Sequence, residues 1–217
     1  MECCSWRDAI LDRVHKVSRV VEYAARAVIQ RVRRQRLKMF LLNIALCFLS
    51  TVTLAQSTSE YQVEAAFLYN FTKFVEWPGD AFASVNSPLQ ICVLGHDPFG
   101  SDFEQLIVDK TVDGHRIELA HPEGVPQARA CQILFIASSQ KQQIQQILLG
   151  LKGASVLTVG DTAGFVQMGG MINFVLDDNR VRFEINLKAT ELAHLKLSAR
   201  LLTVAKLILR KDDPGAN

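Results

Sequence analysis

An α/β layered fold, with a mainly parallel central sheet, helices on both faces and a late β-hairpin, follows from three observations. Short apolar runs (LQICVL, ILFIA, VLTV) recur between Leu89 and Val159. Such runs lack polar alternation, as strands buried on both faces do. Segments with apolar residues at three- and four-residue steps separate them, which is the order of a strand–helix–strand chain. Finally, Asp177-Asp-Asn-Arg180 stands before Val181, Phe183 and Ile185, which alternate with Arg182 and Glu184. Turn residues followed by period-two alternation predict a hairpin.

Taken in order, Tyr61 to Trp77 has helical spacing through Val63, Ala66, Phe67, Phe71, Phe74 and Val75, and Pro78-Gly79 ends it. Leu89 to Leu94 is the first buried strand. Gly95 to Gly100 turns the chain into a helix over Phe99 to Val108, and Arg116 to Leu119 is a weaker strand. After a Pro/Gly-punctuated loop from His121 to Pro126, Ile133 to Ala137 forms another buried strand, opened by Cys131. Ser138-Ser139 is expected to cap a helix through Ile144, Ile147 and Leu148 that Gly150 and Gly153 close. Val156 to Val159 is a further buried strand, and a turn-rich link from Phe165 to Gly170 leads into Met171 to Leu176. The final segment, Leu187 to Leu209, reads as one helix, because Lys196, Arg200, Thr203, Lys206 and Arg210 fall on a single polar stripe.

The segment before this domain carries its own message. Residues 1–38 hold ten basic and four acidic residues, a net +6, so the overall +2 conceals a mildly acidic remainder of −4. That remainder has no nucleic-acid footprint. Phe40 to Leu49 is an apolar run too short to span a bilayer with ease. It follows Arg31, Arg33, Arg34, Arg36 and Lys38 and precedes Thr53-Leu-Ala55, a small-x-small pattern. Basic region, apolar core and cleavage pattern in that order make an export signal. Three regions are therefore expected: a basic extension (1–38), the signal core and cleavage site (39–55), and one domain of 162 residues (56–217). A retained signal anchor is the rival reading.

Export bears on the cysteines. Only Cys92 and Cys131 lie beyond Ala55. Two thiols in an oxidising compartment read as one disulfide. Strands placed side by side would bring them within bonding distance, and a redox switch or two free core thiols are the other possibilities. His96, His115, His121 and His194 make no metal-ligand spacing, and no cofactor is expected. Gly164 to Gly170 lacks the spacing and lysine of a phosphate-binding loop. No GxSxG motif offers a nucleophile, so His96-Asp97 reads as a turn cap before it reads as a base. Phe67, Tyr69, Phe71, Phe74 and Trp77 crowd one helix and its exit; core packing explains most, while Tyr69 and Trp77 could face a partner.

Several separated blocks in order give the domain a specific resemblance. They are Tyr69-Asn-Phe-Thr-Lys-Phe-Val-Glu-Trp-Pro78, Cys131-Gln-Ile-Leu-Phe-Ile136, Gly169-Gly-Met-Ile-Asn-Phe174, Val181-Arg-Phe-Glu-Ile-Asn186 and Leu195-Lys-Leu-Ser-Ala-Arg-Leu-Leu202. Over Glu60 to Leu209 the chain resembles the YfiR family (the DUF4154 domain). The resemblance implies a periplasmic, non-enzymatic repressor. It would bind the periplasmic part of a membrane-bound diguanylate cyclase, be titrated by an outer-membrane lipoprotein, and form a homodimer. It implies that Cys92 and Cys131 match one family disulfide. Val166 and Asn173 stand at about the places of a second, so redox sensitivity through that bridge is not expected here. Glu184 matches a position implicated in partner binding, which makes Phe183 and Glu184 the first expected contacts. A small-molecule sensor with its pocket at the strand C-terminal ends near Gly95-His96 is the alternative function, and an envelope hydrolase ranks last.

Overall fold

The computed structural model describes residues 60–209, so the expected basic extension, signal core and cleavage site lie outside the described residues. Helix α1 occupies residues 60–74 and buries Leu68 and Phe71. It stops earlier than its periodicity suggests, because Val75–Glu76 is a strand, β1, and Trp77 lies beyond it. Trp77 precedes Pro78, which biases it away from the helical region. β1 also has a partner no local pattern reveals: Val75 and Glu76 pair antiparallel with Leu197 and Lys196.

The main sheet is assembled from β2 (Leu89–Leu94), β3 (Thr111–Val112), β4 (His115–Ala120), β5 (Ile133–Ile136), β6 (Leu157–Gly160), β7 (Ile172–Asp177), β8 (Arg180–Asn186) and β10 (Leu207–Leu209). Its order is β10-β8-β7-β6-β5-β2-β4-β3. Neighbours from β7 through β6, β5 and β2 to β4 run parallel, as does β10 beside β8. The late hairpin β7–β8 is antiparallel, and its tip has Asp178 at φ 48° and Asn179 at φ 58°. Two successive positive φ values belong to a type I′ turn, whose twist matches that of paired strands. A second tight hairpin, β3–β4, turns through Asp113 and Gly114, again with positive φ at both; the Asp-Gly signal for it stands in the sequence.

Alternation along the buried strands divides the core. Ile91, Val93, Ile133, Phe135, Leu157 and Val159 face one side, with Leu68 and Phe71 of α1 and Phe103 of α2 (Ser101–Ile107). Cys92, Leu94, Leu134 and Ile136 face the other, with Ala128 of α3 (Val125–Ala128) and Ile144 and Ile147 of α4 (Ile144–Gly150). Helices thus cover both faces of a mainly parallel sheet. α4 is entered through a 3-10 turn, Ser138–Gln143, with no side-chain cap. The expected serine cap is absent because Ser139 Oγ is engaged elsewhere, accepting the His96 backbone N–H at 2.9 Å.

The expected long helix over Leu187 to Leu209 is four elements. They are α5 (Leu187–Leu192), β9 (Lys196–Leu197), α6 (Ala199–Val204) and β10. Asn186 caps α5, its Oδ1 accepting from Ala189 N at 3.0 Å. His194 at φ 58° breaks the helix, and Ser198 starts the next by accepting from Leu201 N. Cap residues inside an apolar stripe, and strand partners from β1 and β8, override the helical period. Among the described residues no helix is long and apolar enough to cross a membrane.

Candidate functional site

Cys92, inside β2, is disulfide-bonded to Cys131, two residues ahead of β5, with Cα atoms 6.1 Å apart. The pairing of β2 with β5 brings them together. Both are buried on the face covered by α3 and α4. Next to the bridge, buried Gln132 works as a clasp. Its Oε1 accepts from Gln90 N at 2.8 Å and its Nε2 donates to Ala81 O at 2.8 Å. The same residue's carbonyl accepts the Trp77 indole N–H at 3.1 Å. Trp77 is therefore an internal strut with one half-exposed edge.

Of the expected contact residues, Phe183 is core. It is 1% exposed and lies 5.4 Å, ring centre to ring centre, from both Phe67 and Phe71. Its aromatic side chain belongs to the packing of α1 on β8, so it cannot present a surface without opening that contact. Glu184 points the other way, as successive strand residues must. It is half-buried, pairs across with Asn173 and Leu207, and has exposed Arg182 two positions away. Tyr69 is half-buried on α1, with the Lys73 ammonium 3.9 Å above its ring centre. Because α1 packs on the Phe183 side, Tyr69 and Glu184 belong to opposite sides of the sheet and do not form one patch.

Among the described residues, His96, His115, His121 and His194 do not converge on a nucleophile. His121 Nε2 lies 2.9 Å from Asp97 Oδ2 at the surface, and Asp97 Oδ1 accepts from Phe99 N at 2.8 Å. The latter is the local turn cap expected there. His115 stacks on Phe82 at 4.1 Å and contacts Ser87 O at 2.6 Å.

At the C-terminal ends of β5 and β6 the structure places a carboxylate pair that sequence reasoning missed. Glu64 of α1 is 7% exposed, and its Oε2 has no hydrogen-bond partner; neither does Asp161 Oδ1 nor Thr162 Oγ1. Burial pushes Glu64 up to about 8, with Asp161 and Glu60 repelling in the same direction. Burial also raises Asp161, against hydrogen bonding from Tyr61 and Ser138. The Tyr61 hydroxyl is raised in turn, first by burial and then by the acids. Among the described residues, the groups that act on the three are acids, Tyr61 and Ser138, none of them basic. The clue was available: Glu64, Leu68, Phe71 and Val75 follow helical steps along the buried face of α1.

The loop after this pair is stitched by polar contacts. The Asn173 amide, oriented to satisfy its surroundings, donates to Thr162 O and Gly160 O, each at 3.0 Å. Asn186 Nδ2 donates to Val166 O at 2.9 Å, and Met171 N to Thr158 Oγ1 at 3.1 Å.

Residues 61–206 match the DUF4154 family, described as YfiR/HmsC-like. No curated protein matches the chain. Among solved structures, it is similar to a conserved domain protein from Vibrio cholerae O1 biovar El Tor at 11% identity and a TM-score of 0.41, covering 55% of this chain and 54% of that one. It is also similar to an ABC domain in complex with L-Trp from Streptococcus pneumonia at 9% identity and a TM-score of 0.41, covering 55% of each. The chain thus spans about half the length of these two structures.

Proposed function

The chain belongs to the YfiR/HmsC-like family, whose members serve as periplasmic regulators in cyclic-di-GMP signalling, and from that premise we propose that it represses an inner-membrane diguanylate cyclase by binding the cyclase's periplasmic part. Its mature chain acts after export and removal of the signal near Ala55. Binding works by population shift: the regulator must prefer the inactive arrangement of its partner by about 1.4 kcal/mol for each tenfold repression.

The observation that supports this reading most is the surface around Glu184. Val175 opposes Arg182 and Leu207 opposes Glu184 in the sheet register. All four retain solvent exposure, Leu207 at 40%. A carboxylate and a guanidinium beside exposed aliphatic groups give the mixed chemistry of a protein contact, in which an arginine and an apolar anchor carry much of the energy. Phe183 supports that surface from beneath.

Deletion of the gene should raise cellular cyclic-di-GMP and biofilm, and wild-type chain should restore the low level while Glu184→Lys does not. Unchanged cyclic-di-GMP on deletion, in a strain that makes the cognate cyclase, would remove the basis for the proposal.

A further inference from the structure

Between α4 and α5 the second face of the sheet carries a groove of about 720 Å³. That volume is in the range of small-molecule sites. Thr158 of β6, Met168 and Met171 of the loop before β7, Leu148 of α4 and Leu192 of α5 line it. It is separate from the Glu184 surface and from the carboxylate pair, neither of which contributes to its lining.

Three properties narrow the occupant. First, no Phe, Tyr or Trp lines the groove; its apolar residues are Leu, Val, Ala and Met. An aromatic ligand would find no ring to stack on, whereas an aliphatic chain meets flexible methionines that adapt to it. Second, no Asp or Glu lines it, and the exposed Lys152 at its rim is cationic. The polar end of the occupant is therefore anionic. Third, the walls expose leucines to water, Leu149 at 59% and Leu192 at 71%. Paired exposed apolar side chains flanking a cleft mark a binding site more than a bare surface.

We infer that this groove binds a free fatty acid, with its alkyl chain along the methionine-lined floor and its carboxylate beside Lys152. Charge complementarity at the rim and the all-aliphatic lining select this ligand over an aromatic metabolite or an alkylammonium. The inference is independent of cyclase binding and is tested without the cyclase.

The test is calorimetric titration of the mature chain, purified from the periplasm, with octanoate, decanoate and dodecanoate below their micellar concentrations. Each methylene that enters the groove should tighten Kd about fourfold. Dodecyltrimethylammonium, with the same chain and opposite charge, should bind at least tenfold more weakly. Ala189→Trp places a ring in the groove from α5 and should abolish dodecanoate binding. Lys152→Glu alters only a surface charge and should weaken dodecanoate at least tenfold without lowering Tm. It thus serves as the readout if Ala189→Trp fails to fold. Equal affinity for the two head groups, Kd independent of chain length, Kd unchanged by Lys152→Glu, or no binding of dodecanoate would each overturn the inference. Binding only to vesicles containing lysophospholipid, with none to free dodecanoate, would overturn it as well.

Discussion

The Glu64 carboxyl on α1 is pushed up to about 8 by its burial and then by the Asp161 carboxylate just beyond β6. The relationship ties the first helix to the C-terminal edge of the parallel sheet through a shared electrostatic penalty. Its size depends on how many protons the patch holds.

Stability should therefore fall as pH rises through this range. In the folded chain Glu64 keeps its proton to about pH 8, whereas unfolded it releases it near the ordinary value of 4.5. Between those values the native state binds more protons, so alkalinity favours unfolding. The penalty is complete above about pH 8 and absent below 4.5. Its upper bound is on the order of 5 kcal/mol. Glu64→Gln should match the parent near pH 4.5 and exceed it in urea midpoint at pH 8.5. A parent midpoint that stays flat from pH 4.5 to 8.5 would contradict the assignment.

The Cys92–Cys131 bridge closes a span of 39 residues. On the loop-entropy model its loss destabilises by roughly 4 kcal/mol. Cys92 is wholly buried, so the bridge should resist mild reductant in the native state. Thiol labelling should appear only when reductant and denaturant are combined. Cys92→Ser with Cys131→Ser should lower the urea midpoint and steepen the slope, because the unbridged unfolded chain exposes more surface.

Phe183 and its neighbour should separate structure from contact. Phe183→Ala leaves a cavity among Phe67, Phe71 and Phe174 and should cost about 3–5 kcal/mol of stability. Glu184→Lys, half-exposed on the other side, should change Tm by little while disrupting repression. Equal losses of Tm in both variants would place Glu184 in the structural role too.

Asn186 caps α5 and also holds Val166 O. Its replacement by Ala should cost about 1–3 kcal/mol, because a helix cap and a buried carbonyl lose their partner together. Chemical denaturation of Asn186→Ala would measure this. A shift under about 0.3 kcal/mol would mean the loop finds other partners.

Much of the architecture was legible locally. β2, β5 and β6 announce themselves because strands buried on both faces have no room for polar alternation, and the Asp178-Asn179 tip carries the turn chemistry of its hairpin. The cysteine pair was legible as well, since only Cys92 and Cys131 lie beyond Ala55. Less visible was the split of Leu187 to Leu209, where Asn186 and Ser198 act as caps that only neighbouring strands make effective. Glu64 was readable by its spacing but is unremarkable until Asp161 arrives beside it.

The sequence alone determined that β2, β5, β6 and β8 are extended, that most of α1 is helical and that the chain turns at Asp178-Asn179, because side-chain period and backbone preference act over a few residues. It also left Cys92 and Cys131 as the two cysteines that follow Ala55. Only the tertiary structure decided the strand order, the burial of Phe183 rather than Glu184, the pairing of β1 with β9 and the meeting of two carboxylates. Those outcomes depend on which distant segments come to lie side by side, and the free energy of such contacts is not written in the local spacing of either partner.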